Sequence, residues 1–154
     1  IGTLTLQPRR VNLRTELDAV IAGQFLGGGP AAPTVSVEPG SESVWSDPLR
    51  FRQIIRNLLT NATRYGGDNV SVHAYCDGPV VKIAVRDDGP GVPLERADSI
   101  FDPYTSAHEP GTQPGSVGLG LAVSRTLARL MGGDLVYNGQ SGTSFELTVP
   151  TETQ

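Results

Sequence analysis

The chain carries a single cysteine, Cys76. No internal disulfide can form, and a zinc site built on cysteine has too few ligands. This suits a reducing compartment. Positive charge is also short: the 154 residues carry a formal net charge of -4, so no basic excess recommends nucleic acid as a partner. A mildly acidic protein that binds phosphates must do so through local geometry or a metal ion. No apolar run approaches the roughly 18 residues of a membrane helix, and no signal peptide opens the chain. We therefore expect a cytoplasmic setting and no membrane contact by this segment. The start at Ile1 rather than Met reads as a piece of a longer protein, other parts of which can be anchored in the cell membrane.

What is present is a balanced globular composition, 38% apolar and 18% charged, long enough for one domain with a sizeable core. "LTLQPRRVNL" reads as a short strand entering a helix. Asn12 is placed to cap that helix, and Leu13, Leu17, Val20 and Ile21 give helical spacing to about Phe25. Gly27 to Pro33 is a break. "TVSVEP" alternates as a strand, and "SVWS" is expected to pair with it. Asp47 before Pro48 starts a helix that runs to about Tyr65, where Gly66-Gly67 stops it. "NVSVHAYC" and "VVKIAVRD" form a hairpin around "DGP". A Gly/Pro-rich region follows, with a short helix near Leu94–Asp98. A further helix spans about Leu119 to Met131, with Leu119, Leu121, Val123, Leu127 and Leu130 as its buried side, and "DLVYN" and "TSFELTV" close the chain as a strand pair. Helices mixed with hairpins predict an α+β fold: a two-layer sandwich, one mostly antiparallel sheet with helices on one face.

The stretch "RNLLTNATRYGG" carries an unusual polar group. At 100° per residue, Phe51, Ile54, Ile55, Leu58, Leu59 and Ala62 form one apolar stripe. Asn57, Asn61 and Arg64 fall beside it, and Tyr65 at its boundary. They line the edge where the helix meets the core. A polar shoulder without chemistry is one reading. A ligand edge is the other: an amide oxygen suits Mg²⁺, which also takes phosphates and water, and Arg64 can reach a phosphate.

Two glycine clusters bear on that choice. "VRDDGPGVP" follows a strand, so Asp87 puts a carboxylate at the strand end and Gly89 and Gly91 leave room for a flat ring. A plain Asp-Gly-Pro-Gly turn is the alternative. "GSVGLGLAVSRTLARL" sets Gly118 and Gly120 at a helix start, where free N–H groups favour an anion. No lysine follows, so this is not a G-x-x-x-x-G-K-[ST] loop, nor is it a strand–turn–helix dinucleotide fingerprint.

In this order the pieces resemble the catalytic ATP-binding domain of bacterial sensor histidine kinases, from the superfamily that includes gyrase B, MutL and the Hsp-type chaperones. "NLLTNATRY" resembles the N box, "DDGPGVP" the G1 box, "IFDPY" the F box, "GSVGLGLA" the G2 box, and "GTSFELTVP" the last glycine-containing box. The resemblance covers about Leu4 to Pro150 and implies a single domain over 1–154 with the Bergerat ATP-binding fold, binding ATP and Mg²⁺. It implies that Asn61 is the Mg²⁺ ligand, that Arg64 lies near the phosphates and that Tyr65 lies beside the nucleoside. Asp87 would accept from the adenine amino group, with Gly89 and Gly91 opening the pocket. Gly118, Leu119, Gly120 and Leu121 would form the phosphate-facing turn, and Thr143 would place a hydroxyl near adenine. Phe101 and Pro103 match F-box packing residues.

Two departures stand out. Ser116 occupies the first glycine position of the usual G-x-G-L-G-L, and the lid, about Thr105 to Val117, has no Lys or Arg. The lid is expected to be mobile without nucleotide. Asn57 stands where hydrolytic relatives carry a water-activating glutamate, and an amide cannot be a general base near neutral pH. The resemblance thus implies transfer of the γ-phosphate, with Asn57, Asn61 and Arg64 as the catalytic set. The acceptor would be a histidine on a dimerisation domain of the same protein, and a cognate response regulator would act through the full kinase. His73, in a strand, and His108, in the lid, do not begin the helical pattern of a phosphoacceptor. A serine kinase of an anti-sigma switch and a nucleotide-binding interaction module without transfer activity are the alternatives.

Overall fold

The computed structural model describes residues 5–25, 32–65, 68–97, 99–102, 119–139 and 143–152, with the backbone alone at 64, 65, 94, 119 and 143. In chain order the elements are β1 (Arg9–Asn12), α1 (Leu13–Gln24), β2 (Thr34–Val37), β3 (Ser43–Ser46), α2 (Pro48–Tyr65), β4 (Val70–Asp77), β5 (Val80–Asp87), a short 3-10 helix (Leu94–Arg96), α3 (Leu119–Leu130), β6 (Asp134–Asn138) and β7 (Thr143–Pro150). A five-stranded sheet runs in the order β2-β4-β5-β7-β6, and β1 and β3 form a separate pair. Every neighbouring pair in the main sheet is antiparallel except β2 with β4. The expected two-layer α+β sandwich with a mixed, mostly antiparallel sheet is what forms.

The local signals that start the helices act as the chemistry demands. Asn12 Oδ1 accepts the Thr15 N–H at 2.9 Å and caps α1. Asp47 Oδ1 accepts the N–H groups of Leu49 and Arg50 at 3.0 and 3.3 Å, while Oδ2 takes the Gln7 N–H at 2.9 Å. One carboxylate thereby caps α2 and ties down the segment before β1. The apolar stripe of α2 is buried from Phe51 to Ala62. It packs on the covered face of β4 and β5, against side chains such as Val72, Ile83 and Val85. Truncating a fully buried member such as Leu58 to alanine would cost about 2–5 kcal/mol. α1 lies beside α2 and is joined to it by the Arg52–Glu16 ion pair and by Gln24 Nε2 donating to Thr60 Oγ1 at 2.9 Å. Glu16 is nearly buried, and its hydrogen bond holds the Arg52 guanidinium above its ordinary pKa.

Two sequence expectations need correction. β3 does not pair with β2. It pairs antiparallel with β1, while β2 pairs parallel with β4. The connection between them is anchored to β4 instead of forming a hairpin: Glu38 N–H and Ser41 Oγ both donate to Ala74 O, and Gly40 turns with a φ of 93°. On α3, Ser124, Leu127, Ala128 and Met131 at its C-terminal end are buried, whereas Val123 and Leu130 are exposed. Those two lie roughly 100° around the helix from the arc centred on Ser124 and Met131, so apolar type alone misplaced them.

The other face of the sheet has no helix over it among the described elements, and it is polar. Tyr75 on β4 reaches across β5 and donates to Glu146 of β7 at 2.7 Å. Lys82 Nζ lies 3.6 Å from the other Glu146 oxygen, and His73 Nε2 lies 2.6 Å from Glu38.

Candidate functional site

β5 delivers Asp87 to its C-terminal end on the covered face, where it is 7% exposed. Its Oδ1 accepts the Gly89 N–H at 2.8 Å, closing a turn two residues on. Gly91 follows with a φ of 80°, a conformation that side chains disfavour. The neighbouring Asp88 points elsewhere: Asn69 donates to it from its backbone at 3.2 Å and from Nδ2 at 2.6 Å, which keeps the Asp88 carboxyl below its ordinary pKa. Of two adjacent carboxylates, one is buried at the sheet end and one is spent on the start of β4. The β5–β7 register sets Thr143 opposite Asp87.

The second group of candidate residues lies at the seam between α2 and α3, which would form the other wall of the site. Asn57 Nδ2 donates to Gly120 O at 3.3 Å and to Ser124 Oγ at 3.0 Å. The carbonyl partner requires a donor, which fixes the amide orientation. Gly120 lies in the first turn of α3, where N–H groups lack intrahelical partners. A Cβ at Gly120 would lie 3.6 Å from the Asn57 amide carbon, an ordinary contact. Asn61 lies one turn further along α2, half-buried, and its side chain has no hydrogen-bond partner among the described residues. Arg64 and Tyr65 end α2, and Leu119 and the partly buried Leu121 begin α3. Gly118, Pro103, Ser116, His108 and the lid from Thr105 to Val117 lie outside the described residues.

Residues 46–153 match the family described as Histidine kinase-, DNA gyrase B-, and HSP90-like ATPase. The chain belongs to this family. Among relatives of this ATPase family, the Aerobic respiration control sensor protein ArcB of Escherichia coli (strain K12) is 37% identical over 118 residues, 72% of this chain and 15% of that protein. Sensor protein KdpD of the same organism is 30% identical over 158 residues, 96% of this chain and 18% of that protein. The chain spans less than a fifth of the length of these curated relatives. Among solved structures, full-length ShkA in complex with AMPPNP has a TM-score of 0.75 at 25% identity, covering 99% of this chain and 33% of that one. The histidine kinase AdeS of Acinetobacter baumannii has a TM-score of 0.77 at 22% identity, covering 97% and 70%, a likeness that shows the fold. The fold is the Bergerat fold of histidine kinase catalytic domains, and this is an ATPase-family domain of the sensor-kinase type.

Two participants were not legible as site residues in this ATPase-family sequence. Ser124 is fully buried and satisfied by Asn57; its signal was a serine one turn after Gly120 on the arc of Leu127 and Ala128. Tyr137 of β6 accepts the Val92 N–H at 2.8 Å and so touches the loop after β5. Nothing local to β6 marked it. Phe101 meets Phe145 edge-on at 6.2 Å, and the Arg125 guanidinium stands 4.0 Å over its ring.

Proposed function

We propose that this chain binds ATP with Mg²⁺ and transfers the γ-phosphate to a histidine on a separate dimerisation domain of the same protein. The observation that carries the reading is the seating of the first turn of α3 against Asn57, one helical turn from Asn61, whose side chain has no hydrogen-bond partner among the described residues. In this reading, helix-terminal N–H groups of α3 and the Asn61 amide oxygen would serve one ligand, the set a metal-bound polyphosphate needs. Among the described residues no group of three or more His, Cys, Asp and Glu stands ready to hold a metal. An ion here would draw one ligand from Asn61 and the rest from phosphate and water, as Mg²⁺ does. When bound, it would neutralise charge on the phosphates. Arg64 would add a cation at the same end of α2, and Tyr65 would pack beside the nucleoside. Gly118, Leu119, Gly120 and Leu121 would cradle the phosphates. At the other end, Asp87 would accept from the adenine amino group, with Gly89 and Gly91 leaving space for the ring and Thr143 alongside.

Asn57 supports transfer over hydrolysis. Its amide is held by Gly120 and Ser124, and an amide is no general base. His73 is paired with Glu38 on the polar sheet face, away from the covered side that carries Asp87. The acceptor histidine would therefore come from elsewhere in the full protein, and a response regulator would receive the phosphate next. Incubation with γ-labelled ATP should leave this chain unlabelled, and addition of a histidine-bearing dimerisation domain should give acid-labile label on that domain. Label on His73 or His108 overturns the reading. Phosphoserine on a partner would instead identify the serine-kinase alternative, and binding without transfer to any partner would identify an interaction module.

A further inference from the structure

The loop after β5 has few backbone donors. Pro90 and Pro93 have no N–H. At the near end, the Gly89 N–H is taken by Asp87 Oδ1. At the far end, beyond the left-handed Gly91, the Val92 N–H donates to the phenolic oxygen of Tyr137 at 2.8 Å. Tyr137 lies on β6, 45 residues away, and β7 stands between β6 and β5. The phenol must cross a strand to reach the loop.

Two features aim it. Its ring lies 5.1 Å from that of Phe145, tilted by 52°, within the aromatic cluster that also holds Phe101. Gly139 supplies the space: a Cβ there would lie 2.6 Å from the Tyr137 hydroxyl and 2.9 Å from ring carbon Cε2. A residue without a side chain is what lets the ring lie where it does.

We propose that Tyr137 is a positioning residue for the adenine pocket, its hydroxyl presetting the path of residues 87–92 before nucleotide arrives. This rests on the nucleotide reading above. A loop fixed beforehand loses less freedom when a ligand binds, so affinity rises without any new ligand contact. Tyr137→Phe keeps the ring and its packing and removes only the acceptor, leaving the Val92 N–H unpaired. The loss should fall equally on ATP and ADP, because the γ-phosphate is held at the opposite wall.

The test compares wild type, Tyr137→Phe and Gly139→Ala by calorimetric titration with ATP and with ADP, and by exchange of the Val92 amide without nucleotide. We expect faster Val92 exchange and about three- to tenfold weaker binding of both nucleotides in Tyr137→Phe. Gly139→Ala, which displaces the phenol by another route, should reproduce the pattern. Unchanged affinities overturn the role, whether or not Val92 exchange rises. A loss confined to ATP also overturns it, since it would place the effect at the phosphates. Wild type that binds neither nucleotide overturns the nucleotide reading itself, and this role with it.

Discussion

The two walls of the candidate site are held by different means. On the sheet side, backbone N–H groups of the 87–92 loop are tied to side-chain oxygens of Asp87 and Tyr137. On the helix side, the Asn57 side chain joins α2 to the Ser124 hydroxyl and the Gly120 carbonyl of α3. The consequence lies in how roles are shared. Asp87 would both read the ligand and hold its own turn. On α2 these tasks would be divided, with Asn57 holding the structure and Asn61 taking the ligand. Substitutions on the first wall should therefore mix binding with local order, and substitutions on the second should separate them.

The sharpest way to break that contrast is Asp87→Ala. Adenine offers an amino donor where guanine offers a carbonyl, and a carboxylate facing a carbonyl opposes two acceptors at a cost of about 1–3 kcal/mol. The domain should prefer ATP to GTP by about tenfold or more, and the folded variant should lose most of that preference. Asp87→Asn sharpens the case, because its amide oxygen can still accept the Gly89 N–H while the recognition edge changes. A folded Asp87→Ala that keeps the original preference would reduce Asp87 to a turn residue.

Asn57→Ala should show in stability first. Ser124 is fully buried and would lose its amide partner, a penalty of about 1–2 kcal/mol visible in urea denaturation. Asn61→Ala should leave stability nearly unchanged and weaken ATP binding by about fivefold with Mg²⁺ present, with little change in its absence. Titrations with and without Mg²⁺ decide this. Equal, metal-independent losses in the two variants would end the claim that their roles are divided.

The smallest effect belongs to the open sheet face, which serves as a control for both walls. The hydrogen bond to Glu146, helped by partial burial and the nearby carboxylate charge, pushes the Tyr75 phenol up to about 12. The folded state thus favours the protonated phenol. This contribution to stability is complete below the ordinary tyrosine value near 10 and is lost as pH rises through about 12. Thermal denaturation from pH 9 to pH 12 should show a decline that is shallower in Tyr75→Phe. Identical slopes would mean the bond adds nothing to folding.

Periodic features are legible in the sequence. The α2 stripe, the Asp47 and Asn12 caps and the β4–β5 hairpin each depend on neighbours within a few residues, and each formed as expected. Partner choice was not readable. β2 alternates correctly, yet nothing within Thr34–Val37 states that its partner is β4 instead of β3. The same holds for the bonds that shape the site: Asn57 to Ser124 spans 67 residues and Val92 to Tyr137 spans 45. Sequence pattern isolated Asn57 and Asp87 as polar residues in telling places. It could not say that Asn57 is occupied by α3, or that a β6 tyrosine holds the loop beyond Asp87.

Cys76 lies at the hairpin end of β4, exposed and opposite Val81, whereas Asp87 ends β5 at the other extreme of the same pairing. Six residues of extended chain separate those ends, about 20 Å. As the sole cysteine of this chain, Cys76 gives a maleimide dye one attachment point, remote from Asp87. A fluorescent adenine nucleotide bound beside Asp87 would sit within energy-transfer range of that dye, so this stretch of chain, unaltered, already carries a handle for watching ligand arrival optically.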